Sequence, residues 1–454
     1  VSNVTNMDSM FEGCGSLEDF TGLENWKTKK VESMNSMFRY CMNIGKNLNA
    51  FQKWDVSKVT GMRAMFAVTQ IQNTVGIEDW NVSNVTAMDD MFANCFKLNN
   101  INGLASWNTK GKSSTNRLTS TFRMFYGCNI ISSIEPLKDW KVDNVTNMRD
   151  MFNGCSGLTS LSDLANWKVD KVTDMHDMFN GCKGLSNLSG LENWNVGNVT
   201  NMYGMFSGCA DPDSETKTGL TNISALSNWA KKVNNVTDMH GMFSGCEFLK
   251  SISDLKDWNV GNVTDMNNMF SWCKSLSSLS DLKGWKVDNV TDMHSMFEEC
   301  IGLTNLSGLQ DWNVGNVTNM CNMFSHSLVE GADNLTDISA LSGWNVSNVT
   351  DMSGMFSDCK KLTGAADLSG WDISKVTNLS SMFSNAGAES GDNFVLDFSN
   401  KTFTKSKTPV ANADPDDQSK HYFSVDGMFD GFKGTLIANN LQSSSFENNP
   451  DDDP

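Results

Sequence analysis

The chain has 454 residues, a formal net charge of −18 and an isoelectric point near 4.7. Phosphates and anionic lipids attract a basic surface, so this charge balance excludes nucleic acid and an acidic membrane as partners. Frequent Met, Phe, Trp and Cys (28, 26, 14 and 12 residues) beside only 6 Pro and 4 Tyr indicate that a few positions recur many times. No apolar run approaches the roughly 18 residues of a membrane-spanning helix, so we expect no membrane insertion.

One unit of 27 residues recurs along the chain, as between Trp140 and Trp167. With each Trp counted as position 0, the unit reads W-x-V-x-x-V-T-x-M-x-x-M-F-x-x-C-x-x-L-x-x-L-x-x-L. Its Met-Phe pair occurs in fourteen copies, whose Phe residues run from Phe11 to Phe383, and a degenerate copy follows at Phe429. One such unit cannot bury its own apolar face. The pattern therefore predicts a repeat solenoid of about 14 coils with a shared core.

Three insertions interrupt the period. Residues 108–117 lengthen the fifth copy before its Met-Phe pair, while 210–219 and 327–334 extend two copies just after the Cys position. The two later insertions share a place in the unit, so we expect them at the same edge of the stack. The predicted regions are a tandem solenoid that begins inside a repeat (1–387), a degenerate capping region (388–440) and an acidic polar tail (441–454).

Spacing within the unit predicts its local structure. Apolar positions 8, 11, 12 and 15 have the spacing of one helical face, so M-x-x-M-F-x-x-C predicts a short helix in each coil. Thr at position 6 and Asn or Asp at position 7 suit the start of that helix. The two Val residues between Trp and Thr predict a short β-strand, and strands of successive coils would lie about 4.8 Å apart. Leu at every third position predicts short extended segments joined by turns.

The string V-T-x-M-x-x-M-F-x-x-C, followed by spaced Leu and a Trp, resembles the repeat of the BspA-like leucine-rich repeat surface proteins of bacteria. It is most similar to their Trp/Met-Phe branch, and the resemblance covers residues 1–387. The resemblance implies a right-handed, leucine-rich-repeat-like solenoid on the bacterial cell surface, with adhesive or ligand-binding roles. It implies no catalytic residue and no cofactor.

Eleven of the twelve Cys residues occupy position 15, where the other copies carry Thr69, Ser327 and Ala386. Replacement by small residues indicates a buried filler, not a metal ligand or a nucleophile. Side chains in register would hold their Cβ atoms about 4.8 Å apart, which exceeds the usual separation of about 3.8 Å in a disulfide. Cys321 lies off this row, and we expect it to be the exposed thiol of the chain.

Three polar rows admit a second interpretation. Recurring N-V-T triplets match the glycosylation sequon, but the repeat generates them, and we interpret their Asn as turn residues. Position 7 carries Asp238, Asp265 and Asp292 in consecutive coils, a weak candidate for Ca²⁺, although acids there also suit a helix start. The Thr row at position 6 is a remote candidate for an ice-binding face, because such a face needs two rows.

Position 9 varies although its surroundings repeat, and its middle section is aromatic or basic in an acidic protein. Either it faces solvent without a chemical requirement, or it forms ligand contacts, for which Tyr and Arg are common anchors. Its His residues fall in alternate coils about 10 Å apart, too far for one metal ion to bridge. The candidate ligand-binding residues are Arg149, His176, Tyr203, His240 and His294 at position 9, with Trp272 and Tyr40 at position 14.

The leading functional hypothesis is a bacterial cell-surface adhesin or ligand-binding solenoid. It would recognise an extended extracellular partner, such as a host or matrix protein, a peptide or a glycan, through the position 9 row and the edge loops. The alternative is a structural spacer or stalk that displays another domain, with an ice- or calcium-binding row as a remote third. No Ser/His/Asp set, phosphate-binding Gly loop or metal spacing remains once the repeat is subtracted, so we expect neither an enzyme nor a cofactor. The sequence leaves the oligomeric state open.

Overall fold

The computed structural model describes residues 1–44, 48–107, 117–326, 333–399 and 426–438. The chain divides into two compact units, a first comprising Val1–Val236 with Gly245–Glu247 and a second comprising Thr237–Ser244 with Phe248–Pro454. Both units are built from stacked copies of the 27-residue coil.

The Met-Phe segment of each coil forms consecutive tight turns, so the predicted helix is wrong. In one coil of the first unit, the Met151 N–H donates to the Met148 carbonyl at 3.2 Å, and positions 15 and 12 make the same bond. The third residue of each turn has a positive φ, +55° at Asp150 and +76° at Gly154. A type II turn requires that conformation and an α-helix excludes it.

Alternate N–H groups of this segment donate to the next coil. The Asp150 N–H donates to the His176 carbonyl at 2.9 Å, and the Phe152 N–H donates to the Met178 carbonyl at 3.0 Å. Positions 8, 11, 12 and 15 face the core in this arrangement as they would in a helix, so apolar spacing does not distinguish the two. The distinguishing signal is the frequent Asp, Asn or Gly at positions 10 and 14, since these residues tolerate the left-handed region best.

The strand predicted between Trp and Thr is also wrong in the part of the chain that the structure describes. The two Val residues instead close a turn, in which the Val172 N–H donates to the Val169 carbonyl at 2.9 Å. Parallel pairing at this place involves one residue per coil at position 7, as between Asn147 and Asp174. Extended backbone is thus reduced to a single bridge beside the Thr row.

Regular elements among the described residues are short. The 3₁₀-helices are Asn49–Phe51, Asn102–Leu104, Glu135–Leu137, Ser162–Leu164, Ser224–Trp229, Ser253–Leu255, Ser280–Leu282, Ser339–Leu341 and Gly391–Asn393. Strands β1 (Ala210–Asp211) and β2 (Thr218–Gly219) form an antiparallel hairpin within the second insertion. Strands β3 (Gly364–Asp367), β4 (Phe394–Phe398) and β5 (Thr435–Ala438) form a parallel sheet in that order. None of the helices described here is long and apolar enough to cross a membrane.

The second unit continues beyond the last regular copy of the repeat. The Ser381 N–H donates to the Asp426 carbonyl at 2.9 Å, and the Phe383 and Phe429 rings stack at 6.0 Å. The described part of the predicted capping region therefore extends the stack, while the predicted tail at 441–454 lies outside the described residues. Residues 108–116 and 327–332 of the other insertions also lie outside them, so a shared edge for the two later insertions stays a prediction.

Rows of identical side chains fill the core of each unit. In the first unit, Phe152 stacks on Phe125 at 5.7 Å and on Phe179 at 5.8 Å, with planes within 6° of parallel. In the second, Phe270 and Phe297 stack at 5.8 Å. All five rings are fully buried, and each contributes roughly 1.5–3 kcal/mol through the apolar area it removes from water.

The Trp row combines burial with a satisfied indole N–H. Trp167 Nε1 donates to the Leu137 carbonyl of the preceding coil at 3.0 Å in the first unit. Trp285 Nε1 makes the equivalent bond to Leu255 at 2.9 Å in the second. A buried indole without this acceptor would be costly, so the Leu carbonyl fixes both the depth and the orientation of the ring.

The Cys row is a core row, as predicted, and all twelve cysteines are free thiols. Cys182 is fully buried and its Sγ donates to the Phe152 carbonyl at 3.3 Å. Burial raises the pKa of Cys155 to about 12. The expectation for Cys321 is wrong, because this thiol is half-buried, whereas Cys14, at position 15 of the first copy, is exposed.

Candidate functional site

The position 9 row, called here the variable row, stands on a turn that position 7 builds. The His176 N–H donates to Asp174 Oδ1 at 3.1 Å, and the Tyr203 N–H donates to Asn201 Oδ1 at 2.9 Å. Similar bonds recur in most coils. Asp and Asn at position 7 therefore cap a two-residue turn, not the helix start expected from the sequence. The backbone of the row is fixed, and its side chains are free to differ.

Each candidate histidine of the variable row pairs with the aspartate two residues before it. A carboxylate beside an imidazole places a hydrogen-bond acceptor next to a donor on the surface of the coil. The Nδ1–Oδ1 distances are 2.8 Å for His176–Asp174, 2.7 Å for His240–Asp238 and 2.8 Å for His294–Asp292.

The Asp174 carboxyl shows the electrostatic effect of this pairing. Burial acts to raise its pKa, but hydrogen bonds from the ring and the backbone N–H of His176, with the charges of His176 and Arg149, hold the pKa below its ordinary value. The carboxylate is thus ionised over the physiological range and fixes the orientation of the His176 ring.

His176 is less accessible than a ligand contact should be. The residue is only 8% exposed, because its ring lies against that of Tyr203, with centroids 5.8 Å apart and planes 28° from parallel. Tyr203 is half-buried and Arg149 is exposed. The structure therefore brings three candidates of the first unit together, but it places His176 as a support between its neighbours.

Four residues form a cluster, of which only Arg149 was predicted from the sequence as a candidate. The Arg149 guanidinium lies 5.1 Å from the centre of the Phe122 ring. The Arg123 guanidinium lies 5.5 Å from the same ring and 4.3 Å from that of Tyr126. We call Phe122, Arg123, Tyr126 and Arg149 the arginine–aromatic cluster. Phe122 belongs to the variable row. A repeat position counted from the preceding Trp does not show this, because the insertion at 108–117 lies between that Trp and Phe122.

The two position 14 candidates are exposed, as expected. Tyr40 in the first unit and Trp272 in the second are 42% and 41% exposed, and both have a positive φ, of 61° and 62°. A cation covers each ring, Arg39 at 4.6 Å from Tyr40 and Lys274 at 4.8 Å from Trp272. Cation–π contacts of this kind hold large aromatic rings at the surface in a defined orientation.

The weak calcium candidate is a row of turn-forming carboxylates in the second unit. Asp238, Asp265 and Asp292 are joined by parallel bridges, and Oδ1 of each accepts the backbone N–H two residues later. Within the ranges that the structure describes, no group of three or more His, Cys, Asp or Glu side chains is placed to hold a metal ion. Their evident role is to form the turn under the variable row.

The Thr row and the sequon Asn residues bond to the preceding coil. Thr173 Oγ1 donates to the Thr146 carbonyl at 3.3 Å, and Asn289 Nδ2 donates to the Gly261 carbonyl at 2.7 Å. Both side chains thus link neighbouring coils. This supports the interpretation of the N-V-T triplets as structural, and it leaves the Thr hydroxyls engaged with backbone instead of forming a free array.

A buried ionisable pair beside the last insertion was not anticipated. The His326 and Asp333 side chains are 5% and 7% exposed, with Nε2 and Oδ1 3.3 Å apart. Burial lowers the pKa of His326, while nearby carboxylates oppose that shift. Asp333 also accepts the N–H groups of Leu335 and Lys361 at 2.8 and 3.0 Å. The sequence signal that could have revealed this pair is His326 itself, which stands at position 14, where many copies carry Gly.

Stacked coils with a repeated apolar core and one variable row define a repeat solenoid. The chain belongs to the family described as "Mycoplasma protein of unknown function, DUF285", whose model matches residues 1–53, 43–129, 119–218, 214–336 and 305–419. These tandem matches confirm that one repeat runs along the chain, as the resemblance to BspA-like repeats implies.

Two solved structures of bacterial proteins resemble the chain, each at 16% identity. One is a leucine-rich repeat protein from Bacteroides ovatus, with 81% of this chain and 87% of that chain covered and a TM-score of 0.28. The other is a leucine rich cell surface protein from Faecalibacterium prausnitzii, with 67% and 79% covered and a TM-score of 0.30. No curated protein matches the chain.

Proposed function

We propose that this chain is a binding module of the bacterial cell surface, an adhesin or receptor solenoid for an extended extracellular protein, peptide or glycan. The observation that carries the proposal is the chemistry of the variable row. Its neighbours at positions 8, 11 and 12 repeat with little change, yet the row gathers Arg149, His176 and Tyr203 in consecutive coils. Arg and Tyr are enriched among the residues that contribute most to binding, and the buried His176 ring supports Tyr203.

The geometry of the row supports an extended partner. Each coil contributes one side chain, and successive coils lie about 4.8 Å apart. In most coils the turn bond from position 7 holds the backbone of the row residue in one conformation, so little order is lost when a partner binds. A rigid face with a regular spacing favours a linear partner over a compact small molecule.

Surface location rests on the resemblance of the repeat to BspA-like proteins, and we propose it together with the binding role. Antibody labelling of intact cells tests it, since a protein inside the cell would be labelled only after permeabilisation. The right-handed winding and the number of coils stay predictions.

The spacer alternative predicts a chain that binds nothing by itself. The exposed aromatic residues Tyr40 and Trp272 favour the binding role, because a stalk gains no stability from large rings held in water. The ice-binding and calcium-binding rows are weaker alternatives, since their Thr and Asp side chains bond to the backbone of the solenoid.

The test is a double variant, Arg149→Ser with Tyr203→Ser, which spares the buried His176. Immobilised extracellular-matrix proteins and a glycan panel serve as probes for the full chain. We expect binding to at least one probe, and affinity about thirtyfold lower or worse in the double variant, because two anchors of at least ~1 kcal/mol each are lost. Lys138→Ala is the control, since this exposed lysine pairs with Glu135 in a 3₁₀-helix.

Equal affinity in the double variant would show that the variable row is not the binding face. Absence of binding to every probe by the unmodified chain would favour the spacer.

A further inference from the structure

Arginine and tyrosine are concentrated on one face of the first unit. All five arginines of the chain lie between residues 39 and 149, so beyond residue 149 the basic side chains other than His are all lysines. Because Arg and Tyr dominate binding hot spots, this face is chemically distinct from the rest of the solenoid. The Arg and Tyr residues at repeat positions 9, 10, 13 and 14 of the first unit are Arg39, Arg63, Arg123, Arg149, Tyr40, Tyr126 and Tyr203.

Arg123 adopts a backbone conformation that its side chain disfavours. Its φ is +53°, in the left-handed region that long side chains disfavour. Every other copy of the repeat carries Ser, Ala, Asp, Asn or Gly at this position. A residue that contradicts the local rule is expected where function, not folding, selects the side chain.

Buried polar atoms without hydrogen-bond partners fall in the same place. They are Asp89 Oδ1, Thr121 Oγ1 and Arg123 Nε, and among the described residues the other such atoms belong to the His326 ring. Folded proteins contain few such atoms, and each one calls for a water, an ion or a functional role. Backbone bonds between the coils continue here, as from the Arg123 N–H to the Arg149 carbonyl at 3.0 Å, so the unsatisfied atoms are confined to side chains beside the arginine–aromatic cluster.

The charges of this face cancel locally. Arg63 Nε lies 3.2 Å from Asp89 Oδ2. Arg123 and Arg149 lie 3.9 and 3.1 Å from Asp150 Oδ2. The face therefore offers guanidinium donors and carboxylate acceptors side by side, without an excess of positive charge. Because the chain has a net charge of −18 and this face has no excess of positive charge, a polyanion would be repelled.

Aromatic rings complete the set of contacts. Phe122 and Tyr126 lie beside the guanidinium groups, and both rings are partly exposed. Sugar rings carry hydroxyl groups that both donate and accept, together with C–H faces that pack on aromatic rings. Among linear partners, a neutral carbohydrate uses all three features of the face, since its hydroxyls need paired donors and acceptors but no net charge.

We propose that the arginine–aromatic cluster, extended by Tyr203, binds a neutral carbohydrate chain laid along the first unit. This inference rests on the proposed binding function and names the ligand class. Phe122, Arg149, His176 and Tyr203 follow one another at one residue per coil, so a repeating linear polymer meets the same spacing of contacts along its length.

The experiment is affinity electrophoresis of the full 454-residue chain. Native gels contain neutral polymers of glucose, mannose, galactose or xylose, and parallel gels contain heparin or hyaluronate. We expect at least one neutral polymer to slow migration. Slower migration with the polyanions alone, or with none of the neutral polymers, would overturn the inference.

Two variants test the site. Arg123→Asn removes the guanidinium while suiting the positive φ, so the melting temperature should hold or rise while the affinity for the retarding polymer falls about tenfold. Phe122→Leu keeps an apolar side chain but removes the aromatic face, and it should also weaken retardation. Lys138→Ala should migrate as the unmodified chain does.

Unchanged retardation in both variants would place the ligand elsewhere and refute the site. A protein partner whose binding requires Arg149 and Tyr203, combined with no retardation by any neutral polymer, would refute the carbohydrate inference while leaving the proposed binding function intact.

Discussion

The left-handed turn at position 10 makes an unusual prediction about Ala64. This residue lies in the Met-Phe segment at φ +51°, where a helix would give it a negative φ. Replacing alanine with glycine in a helix interior costs about 1 kcal/mol. In the turn, the same substitution should stabilise the protein.

The magnitude follows from opposing terms at this half-buried residue. Relief of the left-handed conformation is worth roughly 1–2 kcal/mol. The greater conformational freedom of glycine in the unfolded chain lowers the free energy of unfolding by roughly 0.4–1 kcal/mol. Loss of a partly exposed methyl group lowers it by less than about 0.8 kcal/mol. These terms combine to a change centred on about 0.4 kcal/mol more stable for Ala64→Gly, with limits of about 0.8 kcal/mol less and about 1.6 kcal/mol more stable.

Ala67→Gly is the matched control. Ala67 stands in the same coil, is 3% exposed and has no positive φ, so glycine there should cost about 1 kcal/mol in either structure. Urea unfolding followed by Trp fluorescence gives the midpoints. Hydrogen exchange of peptides from this coil gives the local effect, because a chain of stacked coils need not unfold in one step. A midpoint that falls in Ala64→Gly as far as in Ala67→Gly would refute the turn.

Three further predictions concern cysteine reactivity and pH dependence. Burial raises the pKa of the Cys182 thiol well above its ordinary value, so iodoacetamide should spare Cys182 in the native chain and label it after unfolding in urea; rapid native labelling of Cys182 would contradict its burial. Burial raises the pKa of Asp177, so its carboxylate costs stability as pH rises through the folded pKa. Asp177→Asn should raise the urea midpoint at pH 7, and the difference should vanish below about pH 3. The pKa of Asp174 is lowered instead, because hydrogen bonds and charges from His176 outweigh burial. Asp174→Asn should therefore lower the midpoint at pH 7, and this loss should disappear as pH falls through the folded pKa; midpoint shifts of the same sign in both variants would show that the two carboxyls are not in different environments.

The candidate site was only partly predictable from the sequence. Variation at position 9 singles out the row that contains Arg149, His176 and Tyr203, and the role of that row in binding stays a prediction. Exposure of His176 was not predictable, because it depends on the ring that the next coil places against it. Phe122 was missed because an insertion shifts it within its repeat, and Arg123 because nothing in its identity reveals a left-handed backbone.

By itself, the sequence determined the repeat and the composition of the core. Phe152, Trp167 and Cys182 are buried as the period requires, since stacking is the only way for a 27-residue unit to bury its apolar side chains. The backbone path was decided by tertiary structure. Apolar spacing at positions 8, 11, 12 and 15 is satisfied equally by a helix and by turns, and the choice depends on whether the N–H of a residue such as Asp150 bonds within its own coil or to the next. Only the stacked neighbour supplies that second acceptor.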